Sequence, residues 1–314
     1  MSKEPLVTIG LPVFNGQEFL DEALRSLRAQ TFPNLEIVVS DNASVDRTAD
    51  IIREHAAADP RIRAERQAEN QGALENFRIV ADRARGEYFA WAGHDDLWEP
   101  TFVEELVGVF RRNPGIGLAY CNYDWVDASG RRVAEGKTQL FVARDSRWRT
   151  AFSFSPRNGR LHNLSLQYLW RNSFLTYGLF RTDAIRRVLP FECLFENIAH
   201  ADTVFLLKVL ARERAAAVDR VLFHYRARAR TILPRYDSGK AVPIREAGDR
   251  ETWRRLRARA GQIADEAGFG RLESAAFRAL MPCLDAVRAL RESVGTVRPW
   301  SRSGGSLRQD PWRL

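Results

Sequence analysis

The order of apolar and amphipathic segments over the first 120 residues constrains the fold more than any other feature of this sequence. The run LVTIGLPVF is almost wholly apolar, as expected for a strand covered on both faces. The next segment, GQEFLDEALRSLRAQ, places Phe19, Leu20, Ala23, Leu24 and Leu27 on one helical stripe. Strand-like PNLEIVVS and helix-like DRTADIIREHAAAD repeat this order. The pattern predicts an α/β fold in which helices flank a mixed, mostly parallel sheet.

Later segments extend this pattern and then change it. RIRAERQ, EYFAWAGHDD and IGLAYCNYDWVD predict three further strands, separated by the helices GALENFRIVADRAR and PTFVEELVGVFRRNP. From about residue 130 to 170 the periodicity is weak, and SFSPRNGRLHN predicts a loop. SFLTYGLF predicts a strand, DTVFLLKVLARE a helix, and AAAVDRVLFHYRAR a strand or hairpin. Residues from about 245 to 295 should be helical, and 301–314 should form a disordered tail.

The composition and charge of the chain indicate whether membranes or nucleic acids are expected partners. Hydrophobic residues make up 45% and charged residues 28% of the chain, which is typical of a globular protein. No apolar run approaches the ~20 residues that cross a bilayer, and we recognise no signal peptide. We therefore expect a cytoplasmic protein, either soluble or attached peripherally to the inner face of the membrane. A net charge of +8 without a recognisable nucleic-acid-binding module argues against a nucleic-acid partner.

Polar side chains gather where the predicted strands end. The first four strands end in PVFNG, SDNASVDRT, AENQG and GHDD. Because ligands of open parallel sheets bind at the carboxyl ends of the strands, these four segments predict a ligand site. No G-x-G-x-x-G follows the first strand and no G-x-x-x-x-G-K-[ST] is present, which disfavours a dinucleotide site and an ATPase-type phosphate loop.

The predicted rim is instead acidic, with Asp41, Asp46, Asp95 and Asp96. Carboxylates suit Mg²⁺ or Mn²⁺, which prefer oxygen ligands and bridge to substrate phosphates. The residues alone leave two interpretations open. The two adjacent aspartates either contribute to a metal–diphosphate site or cap the helix that begins near Pro100.

Two long segments resemble family-2 glycosyltransferases. VTIGLPVFNGQEFLDEALRSLRAQTFPNLEIVVSDNASVDRT is similar to the family's P-x-[FY]-N, S-L-x-x-Q-T and D-[ND]-x-S-x-D-x-T motifs. NQGALENFRIVADRARGEYFAWAGHDDLWEP resembles the family's N-x-G segment and its D-D metal motif. The resemblance implies a GT-A (Rossmann-like) fold. It also implies a nucleotide-sugar-binding half over 1–125, an acceptor-binding and catalytic half over 126–235, and a C-terminal helical region over 236–300.

The same resemblance implies roles for individual residues on the donor side. Asp95 would contact the ribose or the donor sugar, and Asp96 would bind the Mg²⁺ or Mn²⁺ that neutralises the diphosphate. Asp41 would accept hydrogen bonds from the base. The other residues that match the donor-binding motifs are Pro12, Val13, Phe14, Asn15, Asn70 and Gly72.

The resemblance also implies a base that deprotonates the acceptor hydroxyl, and our candidate is Asp202 in NIAHADTVFLLKVL. Ala201 stands where the family usually has glutamate. An aspartate is a weak base at neutral pH, so burial near the donor would have to raise its pKa. The alternative is that Asp202 only caps the helix. His200 is the second candidate base, and Glu192 and Glu196 are weaker ones.

Three residues are expected on the acceptor or diphosphate side. Gly178 in TYGLFRTDAIRRV would let a substrate approach the backbone, unless it is an ordinary strand glycine. Tyr225 and Arg226 in FHYRARARTIL would steady the diphosphate or close a lid, unless the arginines are merely solvated. Trp91, Trp98 and Trp170 are candidates for stacking on sugars, with core packing the safer interpretation for Trp91.

The function implied is an inverting, metal-dependent transfer of a sugar from a UDP- or dTDP-linked donor to a saccharide or lipid-linked acceptor. Bacterial surface-polysaccharide synthesis in the cell envelope is the expected context. The alternative is a catalytically silent nucleotide-sugar-binding scaffold of the same fold, which the alanine at 201 favours. A nucleotidyltransferase is a third interpretation, disfavoured because no glycine-rich, lysine-bearing loop follows the first strand.

Overall fold

A computed structural model describes residues 4–132, 159–170, 173–193, 200–226, 235–237, 240–242 and 250–295. The described strands are β1 Val7–Val13, β2 Leu35–Asp41, β3 Ile62–Arg66, β4 Tyr88–Trp91, β5 Leu97–Trp98, β6 Leu118–Val126, β7 Leu179–Arg181, β8 Ala215–Arg226, β9 Arg235–Asp237 and β10 Lys240–Val242. The described helices are α1 Leu20–Arg28, α2 Thr48–Ala58, α3 Ala73–Asp82, α4 Phe102–Arg112, α5 Arg160–Trp170, α6 Thr182–Arg186, α7 Ala201–Leu210, α8 Arg250–Glu266 and α9 Arg271–Gly295. A 3₁₀ helix spans Ser173–Tyr177.

Eight of the described strands form one mixed sheet in the order β3-β2-β1-β4-β7-β6-β8-β5. The pairs β3–β2, β2–β1, β1–β4 and β6–β8 are parallel, whereas β7 and β5 pair antiparallel to their neighbours. The expected mixed, mostly parallel sheet is therefore confirmed. This one sheet runs through both predicted halves of the domain, and the domain boundaries themselves stay predictions.

The first two strands, β1 and β2, lie inside the sheet because most of their residues are apolar on both faces. All seven residues of β1 and all seven of β2 are buried. Helix α1 covers one face with Leu20, Ala23, Leu24 and Leu27. Gly10 of β1 makes room for α3 and β4 on the other face, since a Cβ built there would lie 2.6 Å from a Phe89 ring carbon. β1 and β2 are therefore packed on both faces.

The C-terminal helices pack on the second half of the sheet domain rather than standing apart from it. Buried side chains of α5, α7, α8 and α9 form one cluster. Its members include Tyr168, Leu207, Leu256 and Phe277. The Tyr168 hydroxyl donates to Asp285 Oδ1 at 2.9 Å, which adds a polar link between α5 and α9. None of the described helices is long and apolar enough to cross a bilayer.

The sequence interpretation was wrong for two local segments. SFLTYGLF was expected to be a strand, but Ser173–Tyr177 is a 3₁₀ helix and only Leu179–Arg181 forms β7. EYFAWAGHDD was expected to be one strand, but β4 ends at Trp91 and a turn separates it from β5. The rim acids Asp95 and Asp96 lie in that turn.

The expected loop over SFSPRNGRLHN was also wrong in its described part, because Arg160–Trp170 is the helix α5. Its buried positions include Asn163 and Gln167, both with no exposed surface. These polar residues interrupt the apolar stripe by which an amphipathic helix is recognised. The tail 301–314 lies outside the described residues.

We predict that Gly10→Ala destabilises the fold. The added methyl would meet Phe89 and Val80 Cγ2 at 2.6–2.8 Å, and overpacking of this kind costs about 1–3 kcal/mol. Gly115→Ala is the control, because a Cβ there meets nothing within 4 Å and should change stability by less than about 0.5 kcal/mol. Urea unfolding of both variants measures the difference. Equal stabilities would contradict the tight packing at Gly10.

Candidate active site

The ends of β1 and β2 are tied to each other by the segment after β2. Asn42 N donates to Val13 O at 2.9 Å. Asn15, with a φ of 51°, donates its backbone N–H to Ser44 Oγ and accepts Val45 N on its side-chain Oδ1, both at 2.9 Å. Asparagine tolerates the left-handed conformation better than most residues, so its place in the P-x-F-N motif has a local structural reason. Phe14, directly before it, is 41% exposed.

Asp41 ends β2 and is almost fully buried. Its Oδ1 accepts Ser44 N at 2.9 Å, and its Oδ2 accepts a long hydrogen bond of 3.3 Å from Arg66 Nη1. The carboxylate therefore shapes the turn that follows β2. The contact with Arg66, whose side chain is 51% exposed, is the weaker of these two hydrogen bonds.

Asp46 completes this turn by accepting hydrogen bonds from Gln17 N at 3.1 Å and Thr48 N at 3.0 Å. Burial acts to raise the pKa of Asp46, but these hydrogen bonds and one from the Thr48 hydroxyl outweigh it and hold the pKa below its ordinary value. The Asp46 carboxylate therefore stays charged and fixes the loop after β1.

The end of β3 joins the same rim through side-chain amides. Asn42 Nδ2 donates to Asn70 Oδ1, and Gln71 N donates to Asn42 Oδ1, both at 2.8 Å. Gly72 N donates to the same Asn70 oxygen at 2.8 Å, and Gly72 has a φ of 83°, where a side chain would be strained. The N-x-G segment thus forms a rigid border to the rim before α3.

The turn after β4 presents the paired acids. Asp96 is buried, and its Oδ1 accepts the backbone N–H of Arg226 at 2.9 Å. A Cβ on Gly93 would lie 2.6 Å from Asp96 Oδ2 and 3.3 Å from Asp95 Oδ1, so both carboxylates fold back over this glycine. His94 borders the end of β1, because a Cβ on Gly16 would lie 2.9 Å from its ring. The acids therefore lie beside the first strand, as predicted.

Arg226 is placed differently from our expectation that its side chain steadies the diphosphate directly. Its side chain has no exposed surface. The guanidinium donates to Asp95 O at 2.7 Å, Ala128 O at 2.8 Å and Glu22 Oε2 at 2.5 Å, and it lies 4.6 Å from the centre of the Phe19 ring. The alternative, that Arg226 is merely solvated, is also wrong, because its side chain is buried. Arg226 instead fixes the turn that carries the acids.

Asp202 lies in the first turn of α7, after His200, which occupies the N-cap position with a left-handed φ of 65°. The alternative that Asp202 caps the helix is therefore wrong, because His200 is the N-cap residue. Its Oδ1 accepts the N–H of Thr203 at 2.6 Å. Eight of the ten residues of α7 are buried, and Asp202 and Lys208 are the other two. The ring of His200 lies 6.3 Å from that of Trp253 on α8.

Glu192 binds basic residues, which removes it as a candidate base. It accepts hydrogen bonds from Arg259 Nε at 2.5 Å and Nη2 at 2.9 Å, and it pairs with Lys208 Nζ at 2.8 Å. The hydrogen bonds from Arg259 hold the pKa of Glu192 below its ordinary value. Glu196 lies outside the described residues.

Tyr177 links the two groups of acids, and sequence reasoning missed it. Loss of water contact, and then the negative charges of Asp96, Asp95 and Asp202, raise the pKa of the Tyr177 phenol well above its ordinary value. The 3₁₀ helix that ends at Tyr177 contacts both β4, which leads into the paired acids, and α7, whose first turn carries Asp202. The only sequence signal for Tyr177 was its place directly before Gly178.

Gly178 and the tryptophans have structural explanations. A Cβ on Gly178 would lie 2.7 Å from Leu118 Cδ1 and 2.8 Å from Ala119 O, so packing against β6 requires glycine there. Trp91 is fully buried, which confirms core packing, and Trp98 is also buried. The side chain of Trp170 lies outside the described residues.

The acids at the turn suit a hard divalent cation by their chemistry. Carboxylate oxygens are ligands that Mg²⁺ and Mn²⁺ prefer, and Mg²⁺ commonly uses only one or two protein carboxylates together with substrate phosphates. Among the described residues no group of three or more His, Cys, Asp or Glu is placed to hold a metal by itself. The residues therefore fit a cation that a diphosphate helps to bind.

The sheet, its flanking helices and the acidic rim define a protein of the GT-A type. The family model for glycosyl transferase family 2 matches residues 8–189, which is more than half of the chain. The chain therefore belongs to glycosyl transferase family 2, a family of transferases.

Relatives with glycosyltransferase names agree with this assignment. EpsH of Bacillus subtilis is 29% identical over 238 residues, which cover 74% of this chain and 64% of EpsH. An uncharacterized glycosyltransferase of Rickettsia typhi is 32% identical over 46% of this chain and 42% of its own length. The chondroitin synthase of Escherichia coli is 29% identical over 46% of this chain and 21% of the synthase. This chain thus spans less than two thirds of each of these relatives.

Solved structures show the same fold. S. aureus TarS 1–349, solved in complex with UDP-GlcNAc, has a TM-score of 0.60 at 16% identity, covering 88% of this chain and 71% of TarS. The mannosyltransferase PcManGT of Pyrobaculum calidifontis, solved with GDP-Man and Mn²⁺, has a TM-score of 0.52 at 18% identity, covering 96% of this chain and 77% of PcManGT. At these identities the likeness concerns the fold alone.

We predict that Glu192→Gln lowers the melting temperature at pH 7, because it removes the charge that binds Arg259 and Lys208. The folded pKa of Glu192 lies below its ordinary value of 4.5, so the stabilisation is present above that pH and is lost as the pH falls through the folded pKa. The gap to the unmodified chain should narrow below about pH 4.5. Calorimetry from pH 7 to the acid limit of folding measures it.

The control is Glu54→Gln, which changes an exposed glutamate on α2. It should leave the melting temperature nearly unchanged at every pH. A gap for Glu192→Gln that stays constant down to the acid limit would contradict the ion pairs at Glu192.

Proposed function

We propose that this chain transfers a sugar from a nucleotide-diphosphate sugar to a saccharide or lipid-linked acceptor, with inversion at the anomeric carbon and with the help of Mg²⁺ or Mn²⁺. The observation that carries the proposal is that the 3₁₀ helix ending at Tyr177 contacts both β4, which leads into the paired acids, and α7, whose first turn carries Asp202. A donor-side acid pair and a separate acid for the acceptor are what a single displacement needs. Family membership supports the same conclusion.

On the donor side, the rim formed by the ends of β1, β2 and β3 would hold the nucleotide. Asp41 and the exposed ring of Phe14 border the place for the base, and Asp95 would contact the ribose or the donor sugar. UDP- and dTDP-linked donors suit Asp41 equally, since both bases offer the same N–H. Asp96 would hold the cation, which when bound supplies positive charge that stabilises the diphosphate as it leaves.

On the acceptor side, Asp202 would take the proton of the attacking hydroxyl. The hydroxyl oxygen forms a bond to the anomeric carbon while the bond from that carbon to the phosphate oxygen breaks, and the electron pair leaves with the nucleoside diphosphate. Asp202 Oδ1 is oriented by the Thr203 N–H, so Oδ2 would receive the proton. Tyr225 precedes Arg226, which fixes the acids, and its contact with substrate remains part of the proposal.

The alternative is a scaffold that binds nucleotide sugars without turnover. Ala201, in place of the usual acid, is the observation that favours it. Peripheral contact with an anionic membrane is a further proposal for the basic helix α8. Two of its arginines already pair within the protein, Arg257 with Asp285 and Arg259 with Glu192 and Glu266.

We predict that Asp96→Asn abolishes the cation-dependent part of nucleotide binding. Asparagine keeps an oxygen for the Arg226 N–H but removes the charge. Thermal shift with UDP, dTDP or GDP, each with and without Mn²⁺, measures binding, since a ligand at 100 times its Kd adds about 2.7 kcal/mol. A full Mn²⁺-dependent shift in Asp96→Asn would refute the metal role.

We predict that Asp202→Asn lowers kcat by about 10²–10⁴-fold, the usual contribution of a general base, while the nucleotide shift persists. Release of nucleoside diphosphate from UDP-glucose, UDP-GlcNAc, dTDP-rhamnose and GDP-mannose measures turnover. The matched control is Asp183→Asn, an exposed aspartate in the first turn of α6, which should turn over normally. Binding without turnover in the unmodified chain would favour the scaffold, and undiminished turnover in Asp202→Asn would remove it as the base.

A further inference from the structure

The last described helix, α9, is apolar on two opposite faces. One face packs against α5, α7 and α8 through the buried side chains of Phe277 and Met281. The other face is exposed to solvent and carries no charged side chain. We call it the exposed α9 face, and its residues are Leu272, Ala276, Ala279, Leu280, Cys283 and Ala286.

The exposed α9 face is a continuous surface. Its members recur mainly at spacings of three and four residues, which keeps them on one side of a helix. Leu272 is 87% exposed and Leu280 is 41% exposed. Apolar helix faces are normally buried, and contiguous exposed apolar patches mark interaction sites. This face therefore has the properties of a surface that another element covers.

The side chains of the exposed α9 face suit another helix better than a membrane. Most of them are short, and short side chains let two helices approach to the lower end of the usual distance of about 8–10 Å between axes. A helix that lies on a membrane gains affinity from large apolar side chains, and Leu272 and Leu280 are the only large ones in this face. The carboxylate of Glu273, beside Leu272, would also be repelled by anionic lipid.

The charges beside this face are complementary to a second copy of the same helix. Glu273 and Arg291 are 18 residues apart, which is five turns of about 3.6 residues, so both positions lie on one side of α9. A two-fold axis perpendicular to two antiparallel helices brings that side of one helix against the same side of the other. If the axis lies level with Pro282, midway between the two positions, Glu273 of each copy lies opposite Arg291 of the other.

We propose that the exposed α9 face is a dimer interface, in which α9 packs antiparallel against α9 of a second copy of this chain. The interface is isologous, so each contact occurs twice. Leu280 and Cys283 lie within one turn of the axis and form the centre of the interface, while Glu273 and Arg291 form an ion pair at each end. The proposal concerns assembly and does not rest on the proposed transfer reaction.

Sedimentation velocity of the full chain over a range of concentrations tests the interface. We expect a monomer–dimer equilibrium, and Leu280→Glu should raise the dissociation constant by about tenfold or more, because it places two carboxylates in an apolar contact. Val45→Glu is the matched control. Val45 is an apolar residue that is 87% exposed on the loop after β2, and its replacement should leave the dissociation constant unchanged.

Charge reversal tests the antiparallel arrangement. Glu273→Arg and Arg291→Glu should each raise the dissociation constant by about five- to tenfold, because each replaces two ion pairs by two repulsive pairs. The double variant should return to within about twofold of the unmodified chain. Glu273 also accepts a hydrogen bond from Gly270 N at 3.1 Å, and a loss caused only by that bond would not be restored by a change at Arg291.

Cross-linking gives a separate measurement of the position of the axis. Cys283 and Cys193 are exposed, so the test uses the Cys193→Ser variant. A short bis-maleimide should join two copies through Cys283, and Leu280→Glu in the same background should abolish the product.

Circular dichroism checks that each variant folds. The inference is overturned if the chain stays monomeric up to its solubility limit or if Leu280→Glu dimerises as the unmodified chain does. It is also overturned if the double charge reversal remains as weak as the single variants. Binding of a monomeric chain to phosphatidylglycerol vesicles that Leu280→Glu abolishes would assign this face to a membrane and would refute the dimer.

Discussion

The buried guanidinium of Arg226 is the interaction on which the geometry of the acids depends. It joins the turn after β4, the end of β6 and the first turn of α1 through hydrogen bonds to Asp95 O, Ala128 O and Glu22. The backbone N–H of the same residue holds Asp96. A buried cation stays stable only when such partners surround it. The strand β8 therefore positions acids that lie about 130 residues earlier in the chain.

The first half of the fold could be predicted because the apolar pattern of each segment agrees with the way that segment is buried in the folded protein. β1 and β2 are mostly apolar and are buried at every position, and α1 has one apolar stripe. Parallel strands bring their carboxyl ends to one edge, so the gathering of Asn15, Asp41 and Asn70 followed from strand order alone. The assignment of donor-side roles came from resemblance to the family and remains a proposal for each residue.

The second half was harder because its signals depend on tertiary contacts. Helix α5 buries Asn163 and Gln167, so its sequence reads as polar. From the sequence, Arg226 is expected at the surface. Its burial is explained by hydrogen-bond partners on three distant segments. Tyr177 belongs to a 3₁₀ turn that apolar periodicity reads as a strand. Each of these misses concerns a residue whose environment is supplied by distant segments, and two of them border the proposed active site.

The link from Glu192 to Arg259 and Lys208 has a consequence for protein engineering. It connects the segment before α7, helix α7 itself, which carries the proposed base, and α8 in one group of three charges. The C-terminal helices therefore stabilise the second half of the sheet domain and are not an interchangeable module. A chimera that takes these helices from a relative needs compatible charges at all three positions. Otherwise a carboxylate or an ammonium group at the junction loses its ion-pair partner.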